Sequence, residues 1–172
     1  MKRVMLVSAV GALAVCSTLP AYAQSAVARL EPTQGNATAG TVTFTQKGDK
    51  VAIEAKVSGL TKGGHGFHIH EKGDCSSADA MSAGGHFNPT AKPHGNPSVP
   101  DHHPGDVPML IADASGNASL SVELGAITVG SGTTDIVGKA VIVHKDLDDY
   151  TTQPTGNAGA RVACGVIARN RP

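Results

Sequence analysis

The chain has no tryptophan and only three phenylalanines and two tyrosines in 172 residues. Aromatics this sparse cannot build the platform on which the bases of single-stranded nucleic acid stack. Charge is also scarce and evenly signed, with 14 basic against 14 acidic side chains, so no net field marks a nucleic acid or an anionic membrane as a partner. No stretch reaches the roughly 18 consecutive apolar residues that a membrane-crossing helix needs. Sustained helical periodicity is missing as well. Cysteine is limited to three residues, none in a C-x-x-C pair, which speaks against a cysteine-built metal site. What the chain does have is 21 glycines, 10 prolines and 8 histidines, and the histidines are not scattered.

The chain opens Met1-Lys2-Arg3, continues with an almost wholly apolar run from Val4 to Val15, and reaches Ala21-Tyr22-Ala23, an A-x-A cleavage site. That is the layout of a secretory signal peptide, so residues 1–23 are expected to be removed and residues 24–172 to form one soluble domain. A rival reading takes Leu13-Ala14-Val15-Cys16 as a lipoprotein box, but Val15 suits the position before a lipidated cysteine poorly. With Cys16 gone, Cys75 and Cys164 remain in a compartment that permits disulfides. They are expected to pair, the alternatives being two buried thiols or thiolate metal ligands.

Short alternating runs between turn residues predict an all-β chain. Val42 and Phe44 alternate with threonines. Val51, Ile53, Ala55 and Val57 alternate with Ala52, Glu54 and Lys56, and Lys47-Gly48-Asp49 between them reads as a hairpin turn. Further runs lie at 26–31, 65–71, 108–114, 119–124, 139–144 and 161–168, for about eight strands. Eight antiparallel strands in one domain must double over or close to bury their faces, which predicts a Greek-key sandwich or flattened barrel. Two long loops, 72–106 and 145–160, interrupt it, and loops of that length in a compact domain are functional or disordered.

Six histidines fall on or beside those loops. His68 and His70 are two apart on a strand and project from one face, with Phe67 and Ile69 on the other. His144 ends a strand whose Val141 and Val143 face inward, so it too lies outside the core and can join the pair. His94, His103 and Asp106 share the first loop and, with a fourth ligand, would complete a closed tetrahedral site of the structural zinc type. His86 lies between the two groups in sequence, and a deprotonated imidazole carries a lone pair on each nitrogen, so it can serve both. Imidazole suits zinc and copper, and the single carboxylate marks one site as zinc. His65 reads as a structural histidine, and His102 only neighbours His103, whose spacing to Asp106 is the one that fits, so neither is assigned a catalytic role.

At this point the chain resembles a known family, the copper/zinc superoxide dismutases in their secreted bacterial form. The resemblance covers essentially all of residues 24–172 and rests on G-F-H-I-H, G-H-F-N-P, H-P-G-D and G-N-A-G-A-R-V-A-C-G-V. It implies copper held by His68, His70, His86 and His144, and zinc held by His86, His94, His103 and Asp106. It implies that Asp148 orients His68 and His94, that Thr155 narrows the substrate channel, and that Cys75 and Cys164 form a disulfide. Arg161 and His86 become the catalytic residues, Arg161 beside the copper and His86 releasing it and taking a proton on reduction. The substrate implied is superoxide, two of which with two protons give dioxygen and hydrogen peroxide, and the compartment implied is the periplasm.

Two features depart from the eukaryotic pattern. Cys75 follows His70 by only five residues, which leaves monomer and homodimer both open. The second loop is short and carries no clear match to the charged residues that guide substrate, leaving Lys72 and Lys145 as substitutes or as plain surface lysines. A second function class is a non-catalytic periplasmic copper/zinc-binding protein on the same fold, which would lack a copper ligand or the arginine. A zinc hydrolase needs an open zinc position and a general base, which a closed four-ligand set does not offer.

Overall fold

Lys50, Glu54, Lys56 and Ser58 are exposed while Val51, Ile53, Ala55 and Val57 are buried, and the same two-residue period shapes most of the chain. The computed structural model describes residues 24–170 and resolves this pattern into eight strands. They are β1 (Ser25–Pro32), β2 (Ala39–Lys47), β3 (Lys50–Ser58), β4 (Gly63–His70), β5 (Asp106–Ala112), β6 (Ala118–Leu124), β7 (Ala140–His144) and β8 (Arg161–Arg169). The expected signal peptide, 1–23, and Cys16 within it lie outside the described residues.

Every pairing is antiparallel, in the order β5-β4-β7-β8-β1-β2-β3-β6. β5 and β6, at the two ends of that order, touch, so the sheet curls into a nearly closed barrel. The connections β3 to β4 and β6 to β7 jump across it, as a Greek key requires. The expected all-β class with eight strands is therefore what the chain adopts, its strand ends differing by at most two residues from the sequence reading. Gly48, in the two-residue link between β2 and β3, takes a φ of 61°, the left-handed conformation that a tight hairpin demands.

The barrel interior is filled by Phe44, Ile53, Phe67, Ile69, Leu110, Val141, Val143 and Ile167, among others. β4 and β7 are buried on their second face too. There Ala140, Ile142 and Cys164 pack against Ala80 and Ala83 of the first long loop and against Cys75. Within that loop a single 3-10 turn, Met81–Ala83, is the only helical element among the described residues. His68, His70 and His144 point away from the barrel interior, as alternation predicts, yet they are 0%, 0% and 4% exposed because the loops cover them.

Cys75 and Cys164 are joined in a disulfide that pins this loop to β8 across a sequence separation of 89. In the chain-entropy model a closed loop of that length stabilises the fold by about 4 to 5 kcal/mol. Replacing both cysteines by serine is expected to lower unfolding stability by up to about 4 kcal/mol, read as a shift in the denaturant midpoint. An unchanged midpoint would show that the bond does not constrain the unfolded chain.

Candidate metal centre and anion cavity

Strand pairing assembles the site. β4 carries His68 and His70 beside β7, His144 ends β7 opposite Arg161 of β8, and an isolated bridge sets His70 against His86 of the loop. Four imidazoles then meet, each with one nitrogen already engaged. His68 Nε2 lies 2.6 Å from Asp148 Oδ2, His70 Nδ1 donates to the Gly84 carbonyl at 2.9 Å, and His144 Nδ1 donates to the Gly159 carbonyl at 3.1 Å. His86 Nδ1 is 3.0 Å from Asp106 Oδ1. The opposite nitrogens, His68 Nδ1, His70 Nε2, His86 Nε2 and His144 Nε2, are buried with no hydrogen-bond partner.

Ligand atoms of these four residues lie within 4.8 Å of one another. An unpartnered buried polar atom costs about 1 to 3 kcal/mol, and a cation that accepts all four lone pairs removes that cost. The residues present therefore fit a metal held by nitrogen alone, the donor set that suits copper.

His86, His94, His103 and Asp106 form a second group within the same limit. Asp106 Oδ1 sits 3.0 Å from His86 Nδ1, 3.0 Å from His94 Nδ1 and 3.4 Å from His103 Nδ1, and the His86 and His103 nitrogens are 3.3 Å apart. Atoms bound to zinc at about 2.0 to 2.1 Å in a tetrahedron lie about 3.3 Å from each other, so these spacings match the edges of such a site. The other carboxylate oxygen, Oδ2, accepts the backbone N–H groups of Gly95 and His103 at 3.1 and 2.9 Å, which fixes Asp106 in place. His86 belongs to both groups, with Nε2 toward one and Nδ1 toward the other.

Asp148, 1% exposed, ties the two groups together. Its Oδ2 faces His68 Nε2, its Oδ1 lies 2.9 Å from His94 Nε2, and the Tyr150 amide donates to Oδ1 at 2.8 Å. Gly156, at φ 68°, passes so close that a side chain there would overlap the Asp148 carboxylate. In the absence of metal, burial pushes His86 down to about 4 and His144 down to about 3, and lowers His70 as well, so these rings are neutral. Burial opposes charge at His94 too, but the Asp106 and Asp148 carboxylates outweigh it and raise His94 to about 9. Burial would likewise raise the two aspartates, yet their histidine partners hold both well below the usual carboxylate range.

An open cavity of about 840 Å³ reaches the first group, lined by His70, His144, Thr155 and Arg161 among others. The Arg161 guanidinium is fixed by two hydrogen bonds, Nη1 to the Ala80 carbonyl and Nη2 to the Gly84 carbonyl, both 2.6 Å. Gly84 thus serves the His70 imidazole and the arginine with one oxygen. Lys72 and Lys145 are exposed and line no part of this cavity. His65 spans the Thr61 and His144 carbonyls at 2.8 Å each, and His102 lies 2.6 Å from the His103 carbonyl. Sequence reasoning missed Gln153, which exchanges hydrogen bonds with the His94 backbone at 2.9 and 2.8 Å, and the carbonyls of Ala80, Gly84 and Gly159. Backbone acceptors leave no signal in side-chain identity.

The family model described as copper/zinc superoxide dismutase matches residues 38–167. The chain belongs to that family. It is also 42% identical over 134 residues to the extracellular superoxide dismutase [Cu-Zn] of Caenorhabditis elegans, an alignment that takes in 74% of this chain and 60% of that protein. The chain thus spans about three fifths of the length of the curated relative it matches.

Within this superoxide dismutase fold the Asp148 bridge generates a prediction. Asp148→Asn is expected to weaken metal affinity at both groups by about 10- to 100-fold, measured by chelator competition. It also removes one of the two carboxylates that raise His94. The raised folded pKa means that protonated His94 stabilises the metal-free fold fully below its unfolded value near 6.5 and loses that contribution as pH rises through about 9. In Asp148→Asn that loss is expected at lower pH, followed by the imidazole NMR titration. Unchanged affinity at either group would show that Asp148 does not couple them.

Proposed function

We propose that this chain is a secreted superoxide dismutase, converting two superoxide anions and two protons into dioxygen and hydrogen peroxide. The observation that carries this reading is the placement of the doubly anchored Arg161 guanidinium in the same cavity as His70 and His144, whose free nitrogens face the first group. His68, His70, His86 and His144 would hold copper, and His86, His94, His103 and Asp106 would hold zinc. Copper supplies a one-electron redox couple, whereas zinc has none and supplies charge and structure.

The chain's own residues do the rest. Arg161 presents a fixed positive charge and forked N–H donors to a small anion, which binds and orients it. Thr155 limits the width of the approach. His86, the residue common to both ligand sets, holds a proton at Nε2 and gives it back when product forms, while its Nδ1 stays committed to the zinc group. Asp148 keeps His68 and His94 in their orientations. A copper or zinc store on the same fold would have no use for an anion-binding arginine locked into the wall of the cavity that reaches the first group.

The A-x-A site at 21–23 and the disulfide support export to an oxidising compartment, and the resemblance to the secreted bacterial form makes the periplasm the compartment proposed. The relative's extracellular name agrees with export. Neither nucleic acid nor membrane is proposed as a partner, and both monomer and homodimer fit this reading.

The roles separate by mutation. His144→Ala is expected to lose copper and nearly all activity while keeping most of its zinc, and Asp106→Ala to lose zinc first and expose the 72–105 loop to protease. Elemental analysis with a superoxide assay checks both, and full activity in copper-loaded His144→Ala would overturn the assignment. For Arg161, lysine should retain more activity than alanine, with glutamate lowest, the alanine variant falling roughly tenfold at low salt. Equal rates across that series, with both metals confirmed, would remove the arginine from the mechanism and leave a metal-binding protein.

A further inference from the structure

Arg161 is not the only fixed charge on the cavity wall. Asp79 lines it too, and apart from those two the lining groups are neutral side chains and the buried imidazoles of His70 and His144. Asp79 immediately precedes Ala80, whose carbonyl holds Arg161 Nη1, so the acid and the base share one stretch of wall. Ala80 takes a φ of 58°, uncommon for a residue with a side chain, and its buried methyl packs under the turn. Asp79 Oδ1 accepts the Met81 amide at 3.0 Å, and this bond, with help from Ser77, keeps the carboxyl ionised. The two charges feel one another: burial lowers the arginine's pKa and Asp79 partly offsets that, while Arg161 adds a small lowering to the aspartate's. No lysine lines the cavity to offset the acid.

We propose that Asp79 is a specificity-determining residue, whose fixed carboxylate opposes the pull of Arg161 on entering anions in proportion to their charge, admitting a small monoanion and turning dianions away. This rests on the reading of the cavity as the anion entrance of a copper centre. The reasoning is Coulomb's law: the repulsion between Asp79 and an anion scales linearly with the anion's charge, while both sit in a water-filled cavity where the dielectric is high. If removing the carboxylate strengthens monoanion binding by some factor, dianion binding must strengthen by about the square of it. For charges about 10 Å apart at an effective dielectric of about 40 to 80, that factor is roughly two to four. Asp79 thereby substitutes for selectivity that a narrower, lysine-lined channel would supply by shape and local charge.

Asp79→Asn is a clean variant because asparagine keeps an Oδ1 acceptor for the Met81 amide and removes only the charge. Asp74→Asn is the control, since Asp74 sits in the same loop, binds the Ser76 amide at 2.9 Å and does not line the cavity. Azide, a monoanion, is titrated optically into the metal-loaded protein at ionic strength near 10 mM, where the screening length is about 30 Å. Hydrogenphosphate at pH 8, a dianion, is followed by its displacement of azide. The expected result is azide affinity about two- to fourfold tighter in Asp79→Asn, phosphate affinity about four- to sixteenfold tighter, both differences closing near 1 M salt, and no change in Asp74→Asn.

Unchanged affinities, equal factors for the two anions, or an Asp74→Asn effect as large as that of Asp79→Asn would overturn the proposal. A wild-type spectrum that azide leaves untouched would overturn it as well. A superoxide assay on the same wild-type preparation judges the functional reading separately. A copper-loaded protein that binds azide but does not dismutate superoxide sinks that reading and leaves the charge comparison standing.

Discussion

A buried lone pair without a donor costs about 1 to 3 kcal/mol, and here four of them, on His68, His70, His86 and His144, converge beneath a covered face of the barrel. Only a cation relieves all four at once, and most of the surrounding structure serves to keep these rings where that relief can occur. Each ring is held by its other nitrogen, and the holders are a buried carboxylate and two backbone carbonyls, together with the second ligand group. An anchored nitrogen fixes the tautomer and the ring plane, so the free nitrogen is aimed before any metal arrives.

That requirement explains why a β-barrel carries so much irregular chain. The strands supply rigid positions for His68, His70 and His144, but a strand face alone would leave them open to water. The 71–105 loop covers that face with Ala80, Ala83 and the Cys75–Cys164 disulfide, and in doing so it brings the Ala80 and Gly84 carbonyls to Arg161. Cover, the orientation of His70 and the orientation of Arg161 are therefore properties of one loop. The 145–160 segment does the corresponding work from the other side through Asp148, Gln153, Gly156 and Gly159.

The electrostatics follow from the same packing. The rings that face the cavity, His70 and His144, are held neutral by burial, so the fixed charges in it are those of Arg161 and Asp79 on its wall. His94, between two carboxylates, is the opposite case and favours its protonated form until a metal displaces the proton. Asp148 touches both environments, which gives the two groups a shared structural element.

The sequence by itself determined the barrel and which histidines and aspartate the structure gathers into its two clusters. Alternation is a local property, so Val51 to Val57 or Val141 and Val143 announce their faces without help from distant residues. H-x-H on a strand likewise needs no partner to put two imidazoles on one side. What only the tertiary structure decided depends on contacts between residues far apart in the chain. Which nitrogen of each histidine is free follows from Asp148, Gly84 and Gly159, which lie 80, 14 and 15 residues from His68, His70 and His144. Arg161 is aimed by carbonyls 81 and 77 residues away. The same long-range closure sends Lys72 and Lys145 away from the cavity and places Asp79 in its wall, because a loop's path is set by where it is pinned and not by the composition of its own residues.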